Sequence, residues 1–375
     1  MKDKTTGPLQ RRISKREYKY LLVHLAQLLN LASNSLFKPK DIAKPVVKAS
    51  IDNKFIESVC NHLRKKGITI PTGDDVFYHL AGNKLRISNV YAQIDSMLKS
   101  SFIRARRYIN FRVPLCIAID YHDIPYYGKG DRKLTKWVCG CKDRRGTKKV
   151  FKFITVCIVV KGRRFTLAVL PVSVFDKTPD LLERIIRDTR KYTRIKYAFL
   201  DRGFYSVDVI KRLIKLEIGF VMPVIKHNAK KPDKDILQLM RKHYCEGVYR
   251  FKYTLGTKYN NVTFTVVVKK DEDVVGFATN TKLRAETIGE WYRKRWGIET
   301  GYRVKEEFRA RTCSVSIVVR LLFNMLSFVM YNLWVLVNIA LRCTIGKGRF
   351  LPDNRSYLTA YELRKDIEDL IRGIP

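Results

Sequence analysis

Acidic side chains are scarce in this sequence. Its 375 residues hold 35 Asp and Glu against 74 Lys and Arg, a formal net charge of +39. The excess runs along the whole chain and is not confined to a tail. A compact chain tolerates such self-repulsion best when a polyanion neutralises it. Each phosphate gripped by a cation also adds affinity by releasing counterions. DNA or RNA is the expected partner, and a basic ribosomal or membrane-surface protein is the bland alternative. A disulfide framework is missing too. The eight cysteines, at 60, 116, 139, 141, 157, 245, 313 and 343, are irregularly spaced, and several lie in apolar runs. This reads as free thiols in a reducing compartment. The one close pair, Cys139 and Cys141, has poor zinc spacing and no second pair nearby.

A secretory leader is not visible, because the N-terminus is polar and basic through Arg16. The expected location is the cytoplasm, on the nucleoid. A clean apolar run of membrane-spanning length is lacking as well. Residues 316–341 come nearest, but Arg320, Asn324, Asn332 and Asn338 interrupt them. A buried core helix is expected there and no membrane partner. Internal repeats and low-complexity segments are absent. What is abundant is apolar residues, 46% of the chain, enough for a sizeable core.

Residues 1–110 read as helical and as a DNA-binding region, or else as a helical cap on the domain that follows. Leu21, Leu22, Leu25, Leu28 and Leu29 keep helical spacing after a basic start. A break is expected near residues 38–45, a helix over 55–66 stopped by Gly67, one opened by a cap at residues 72–74, and one over 88–107. Residues 111–345 read as the main domain. Residues 114–120 form a short apolar run ending in Asp120, as in a buried strand. Next come a hairpin turning at Lys161 and Gly162, a helix capped by Thr178, a strand ending at Asp201, another helix and another strand. Residues 226–270 read as a β-rich insertion. An apolar strand at 274–279 and then helices complete the domain, and residues 346–375 read as a C-terminal tail. The fold class expected is α/β, a ribonuclease-H-like mixed sheet flanked by helices, although other α/β folds fit this order.

Three acids stand out by position. Asp120 and Asp201 follow apolar strands, and Glu299 lies in a predicted helix. Strand ends are a usual place for site residues in an α/β sheet. Phosphodiester cleavage needs charge neutralisation and an activated oxygen, and oxygen ligands suit paired Mg²⁺ ions. Each Asp alone could equally be a turn cap. After Asp201, Gly203 would permit a sharp turn and Ser206 would cap the next helix. On one unbroken helix, Tyr292, Arg295 and Glu299 share a face, as a phosphate grip would require. An amphipathic helix with ordinary ion pairs is the bland reading. Asp123 competes with Asp120 but falls on the other face of a strand. Trp291 and Trp296 could stack on an unpaired base, though core packing is the commoner role.

Asp120, the Asp-Arg-Gly-Phe-Tyr run at 201–205, and the spacing of Tyr292, Arg295 and Glu299 resemble the DDE transposases of insertion sequences. They resemble in particular the group marked by a Tyr-Arg-Glu-Lys signature. The resemblance covers roughly residues 114–341. It implies a ribonuclease-H-like fold, Asp120, Asp201 and Glu299 as catalytic metal ligands, and two Mg²⁺ or Mn²⁺ ions. It also implies double-stranded DNA as partner, both terminal inverted repeats and target, and a homodimer on paired ends. One position departs from the pattern: where the group has lysine, this chain has Glu306. Arg303 and Lys305 are the candidates for that phosphate contact beside Tyr292 and Arg295, and Glu306 is a competing acid. A structure-selective nuclease of the same fold and a non-catalytic nucleic-acid-binding protein are the alternatives.

Overall fold

The computed structural model describes residues 6–29, 31, 33–81, 85–111, 114–128, 134–144, 146–160, 164–225, 235–270, 274–295, 297–345 and 358–373. Five helices come first: α1 (Thr6–Ala26), α2 (Pro39–Asp52), α3 (Ile56–Lys65), α4 (Gly73–Ala81) and α5 (Ile87–Ala105). The expected stop after α3 is present, with Gly67 in the left-handed region at φ +77°. So is the cap of α4, where Thr72 Oγ1 accepts from Asp75 N–H and the Asp75 carboxylate accepts from Thr72 N–H. The break expected near residues 38–45 is instead a helix. Pro39 sits in its first turn, where the missing N–H costs nothing, and Pro45 is carried inside it. Burial of Ile42, Ala43, Val46 and Val47 on one face outweighs the local signal.

The sheet comes next in the chain. Strands β1 (Leu115–Pro125), β2 (Val138–Arg144), β3 (Thr147–Ile158), β4 (Thr166–Pro171), β5 (Ile195–Leu200), β6 (Gly219–Pro223), β7 (Arg250–Gly256), β8 (Asn261–Lys270) and β9 (Val274–Thr279) form one sheet. Their order is β2-β3-β1-β5-β6-β9-β8-β7, with β4 also paired to β3. β1, β5 and β6 are parallel, and the remaining pairings are antiparallel. This is the mixed α/β sheet flanked by helices that the sequence predicts. The expected hairpin is the β3–β4 pair, and its turn residues 161 and 162 lie outside the described residues. The segment read as a β-rich insertion supplies β7 and β8, which join the same sheet by pairing with β9, and it also carries a helix, α8 (Ile236–Cys245).

Helices α6 (Thr178–Arg190) and α7 (Val207–Lys215) cover one face of the sheet. The chain then continues through α9 (Ala285–Arg295), α10 (Gly297–Glu307) and α11 (Ile317–Ile345). Alternation along β1 separates the faces. The Tyr121 hydroxyl bonds Thr178 of α6, whereas His122 stacks on Tyr302 of α10 and meets Phe328 of α11 edge-on. α11 is long and apolar enough to cross a membrane, but 89% of its most apolar window is buried inside the protein. Its Asn332 is satisfied by Thr166 and Ser101. Helices α1, α2 and α5 pack around α11, so residues 6–105 share one continuous core with the sheet. The stretch read as a tail contains α12 (Ala360–Ile371), which docks on α1 and α2 through buried Leu363, Ile367 and Ile371. Glu368 on this helix is paired with Lys48 and Lys66.

Candidate active site

Register brings the first two acids together. β1 and β5 run parallel with Ile119 opposite Leu200. The next residues are Asp120 and Asp201, so the two carboxylates leave neighbouring strands side by side. Asp120 does not end its strand. β1 continues to Pro125, and Asp120 faces Thr155 of β3 across an antiparallel pair. What ends there is the parallel pairing with β5. Beyond Asp201 a single 3₁₀ turn (Arg202–Phe204) leads to α7, whose first turn is capped by the Ser206 hydroxyl, as the sequence predicts. Gly203 does not sit in the left-handed region, so the turn does not depend on it. Thr178, read as a cap, lies one residue inside α6, and its hydroxyl instead accepts from Tyr121.

One cation joins the two acids. Arg295, the last residue of α9, places one guanidinium nitrogen 3.2 Å from Asp120 Oδ2 and another 3.3 Å from Asp201 Oδ1. Its side chain is only 4% exposed, against 15% for Asp120 and 46% for Asp201. Asp120 Oδ1 accepts the Tyr121 backbone N–H at 2.8 Å. Burial pushes the Asp120 carboxyl up to about 6; Arg295 pulls it down, while the charges of Asp201 and Glu299 push it further up. Burial disfavours the charge on Arg295, but Tyr292, Asp120 and Asp201 together hold its pKa above the ordinary arginine value. The Tyr292 ring centroid lies 5.0 Å from the guanidinium, and Tyr292 itself is buried.

Glu299 stands apart from this pair. The helix predicted to carry residues 292–299 unbroken is divided: α9 ends at Arg295 and α10 starts at Gly297. Tyr292 and Arg295 therefore belong to one helix and Glu299 to the first turn of the next. Trp296, between them, lies outside the described residues. The Arg164 guanidinium packs where a Cβ at Gly297 would lie, at the start of α10. Glu299 is exposed, yet its charge is felt at Asp120. Among the described residues, no three His, Cys, Asp or Glu side chains are already gathered as a metal site. Asp120 and Asp201 nevertheless hold one cation between their oxygens. An all-oxygen donor set with a third carboxylate at the rim fits a hard divalent ion.

The two candidate cations on α10 part company. Arg303 is exposed, one turn beyond Glu299. Lys305 is 1% exposed and points inward, its ammonium 3.9 Å from the Tyr302 ring centroid and 4.3 Å from that of Phe328. Burial brings its pKa down to about 8. Glu306, the competing acid, is engaged elsewhere, bonding His122 at 3.0 Å and Arg309 at 2.8 Å. Asp123 sits opposite Lys152, on the other face from Asp120. Trp291 packs on Phe199 with its ring nearly parallel. Two neighbours of the site carried no signal in the sequence. Tyr302 hydrogen-bonds Thr155 at 2.7 Å, and Thr155 donates to the Asp120 carbonyl. The β1–β3 register places Thr155 opposite Asp120, and the packing of α10 brings Tyr302 to it.

Residues 112–333 match the family model described as a transposase DDE domain. The chain belongs to this transposase family. The matched span contains Asp120, Asp201 and Glu299. A cryo-EM structure of a piggyBac transposase synaptic complex with hairpin DNA has a similar fold, at 11% identity and a TM-score of 0.55. The likeness covers 97% of this chain and 80% of that one, so it takes in the N-terminal helices of this chain as well as its sheet. No curated protein matches the sequence.

Proposed function

We propose that this transposase cuts the ends of its own element and joins them to target DNA at a site built on Asp120, Asp201 and Glu299. The observation that carries this reading is the convergence of Asp120 and Asp201 on a single cation. Water attacks the phosphodiester at the element's end and frees a 3′-OH. That hydroxyl then attacks a target phosphodiester in line, and the displaced 3′ oxygen of the target strand leaves. Divalent cations, two Mg²⁺ or Mn²⁺ in this proposal, supply charge neutralisation at the phosphate and activate the attacking oxygen. The three carboxylates would be their oxygen donors, Asp120 and Asp201 side by side and Glu299 from the exposed first turn of α10. Arg303, exposed beside Glu299, meets the DNA backbone, and Tyr292 and Arg295 orient the phosphate. Lys305 reaches DNA only by leaving its aromatic cage.

Exposed Arg12, Lys15, Arg16 and Lys19 on α1 offer a basic stripe for the terminal repeats. Two ends must be brought together, which favours a dimer, and a nucleoid-bound cytoplasmic enzyme is the matching location. Membership of the Tyr-Arg-Glu-Lys group rests on Tyr292, Arg295 and Glu299. The test uses the DNA flanking the gene. Inverted repeats should border it, and purified protein with Mg²⁺ should nick them to a 3′-OH and join that end to a target plasmid. Nicking without joining would favour the nuclease, and binding without either would favour the non-catalytic reading.

A further inference from the structure

We infer that Arg295 is a resident cation of this site, and that its guanidinium and a divalent ion exclude one another there. The inference rests on the proposal that Asp120 and Asp201 are metal donors. It starts from which oxygens are used. Asp120 Oδ1 already accepts the Tyr121 backbone N–H, so Oδ2 is the oxygen left for a cation, and Oδ2 is the atom Arg295 holds. The same guanidinium holds Asp201 Oδ1. A divalent ion held by both acids would compete with the guanidinium for Asp120 Oδ2 and, unless it took the other Asp201 oxygen, for Asp201 Oδ1. Two cations crowded on one carboxylate oxygen repel each other, and arginine cannot relieve this by losing its proton.

The arrangement also gives Arg295 a reason to be present and a place to go. Two carboxylates leaving adjacent parallel strands on the same face repel when nothing positive lies between them. The guanidinium offsets that repulsion. Its grip is incomplete, however, because the buried Nε has no hydrogen-bond acceptor among the described residues. The Tyr292 ring lies beside the guanidinium and can hold it by a cation–π contact once the acids are taken. An arriving ion therefore displaces Arg295 from the acids and frees it for a phosphate. By linkage, DNA that engages Arg295 favours ion binding by the same factor.

The test is Mn²⁺ binding to the full chain, followed by the electron paramagnetic resonance of free Mn²⁺, in wild type, Arg295→Gln and Arg295→Lys. The expected result is binding at least about tenfold tighter in Arg295→Gln, equivalent to about 1.4 kcal/mol. Arg295→Lys should fall between, because a lysine cannot fork to both acids. In EDTA, Arg295→Gln should melt below wild type and should gain more from added Mn²⁺. If Arg295→Gln does not fold without metal, Arg295→Lys carries the test. Equal or weaker Mn²⁺ binding in the variants, with wild type binding normally, overturns the inference and leaves the metal reading intact. No Mn²⁺ binding by any of the three overturns the metal reading and this inference with it.

Discussion

Replacing Asn332 with leucine tests whether α11 is a core helix. Asn332 is fully buried, and its amide does three things at once. It donates to the Thr166 carbonyl at 2.8 Å and to Ser101 Oγ at 3.0 Å, and it accepts the Thr166 N–H at 2.9 Å. Leucine removes all three bonds and leaves both backbone groups of Thr166 at the start of β4 without these partners. A buried polar group left unsatisfied costs about 1–3 kcal/mol. The leucine side chain recovers about 1.5–3 kcal/mol of apolar burial where it fits. For the two Thr166 groups the penalty is about 2–6 kcal/mol, so the net loss should be about 0.5–3 kcal/mol, set against the ~5–15 kcal/mol typical of a domain. Urea unfolding followed by tryptophan fluorescence should show the midpoint falling clearly. In a lipid-facing helix the same change would remove a costly polar group and be favourable. An unchanged or raised midpoint would refute the account of α11 as the helix that ties α5 to β4.

Two further predictions concern the site. Asp120→Asn should stabilise the protein at pH 8 in the absence of divalent ions, by up to about 3 kcal/mol, because the Asp120 carboxyl is raised from 3.8 to about 6. The folded state binds that proton more tightly than the unfolded chain does. The wild type therefore loses stability as pH climbs from about 4 through 6, and the variant does not. Melting temperatures at pH 4 and pH 8 should show an advantage at pH 8 only, and equal advantages at both would refute the assignment. On α10, Arg303→Ala should lower strand transfer about tenfold to a hundredfold, the worth of one charge-assisted phosphate contact. Lys305→Met should leave transfer near wild type, since that ammonium is caged by Tyr302 and Phe328. The reverse ranking would show that Lys305 is the phosphate contact.

Much of the fold was legible because the apolar runs of β1, β3, β4 and β5 are short, continuous and bounded by polar residues. Caps at Thr72 and Ser206 were readable because their chemistry is local. Long-range facts were not. The length of β1 beyond Asp120 depends on pairing with β3, which supplies partners for residues 121–125 that no local pattern announces. The attachment of β9 to β6, and of β8 and β7 beyond it, is likewise a matter of pairing, so the segment read as an insertion lengthens the sheet. The break between Arg295 and Gly297 changed the site most. With one continuous helix, Arg295 would lie on the face of Glu299; with two, it turns to Asp120 and Asp201 while Glu299 stays at the rim. Lys305 and Arg303 differ by two positions on a helix, enough to send one into the core and leave the other in solvent.

Glu299 is the acid whose part in the site is held most loosely by the geometry. The most direct measurement is therefore single-turnover nicking of the element's end by Glu299→Gln in Mg²⁺, beside the wild type. The account predicts a fall of at least about a hundredfold in rate with DNA binding retained, as expected when a donor to the reacting centre is lost. Nicking at the wild-type rate would contradict the claim that these three carboxylates act as one site.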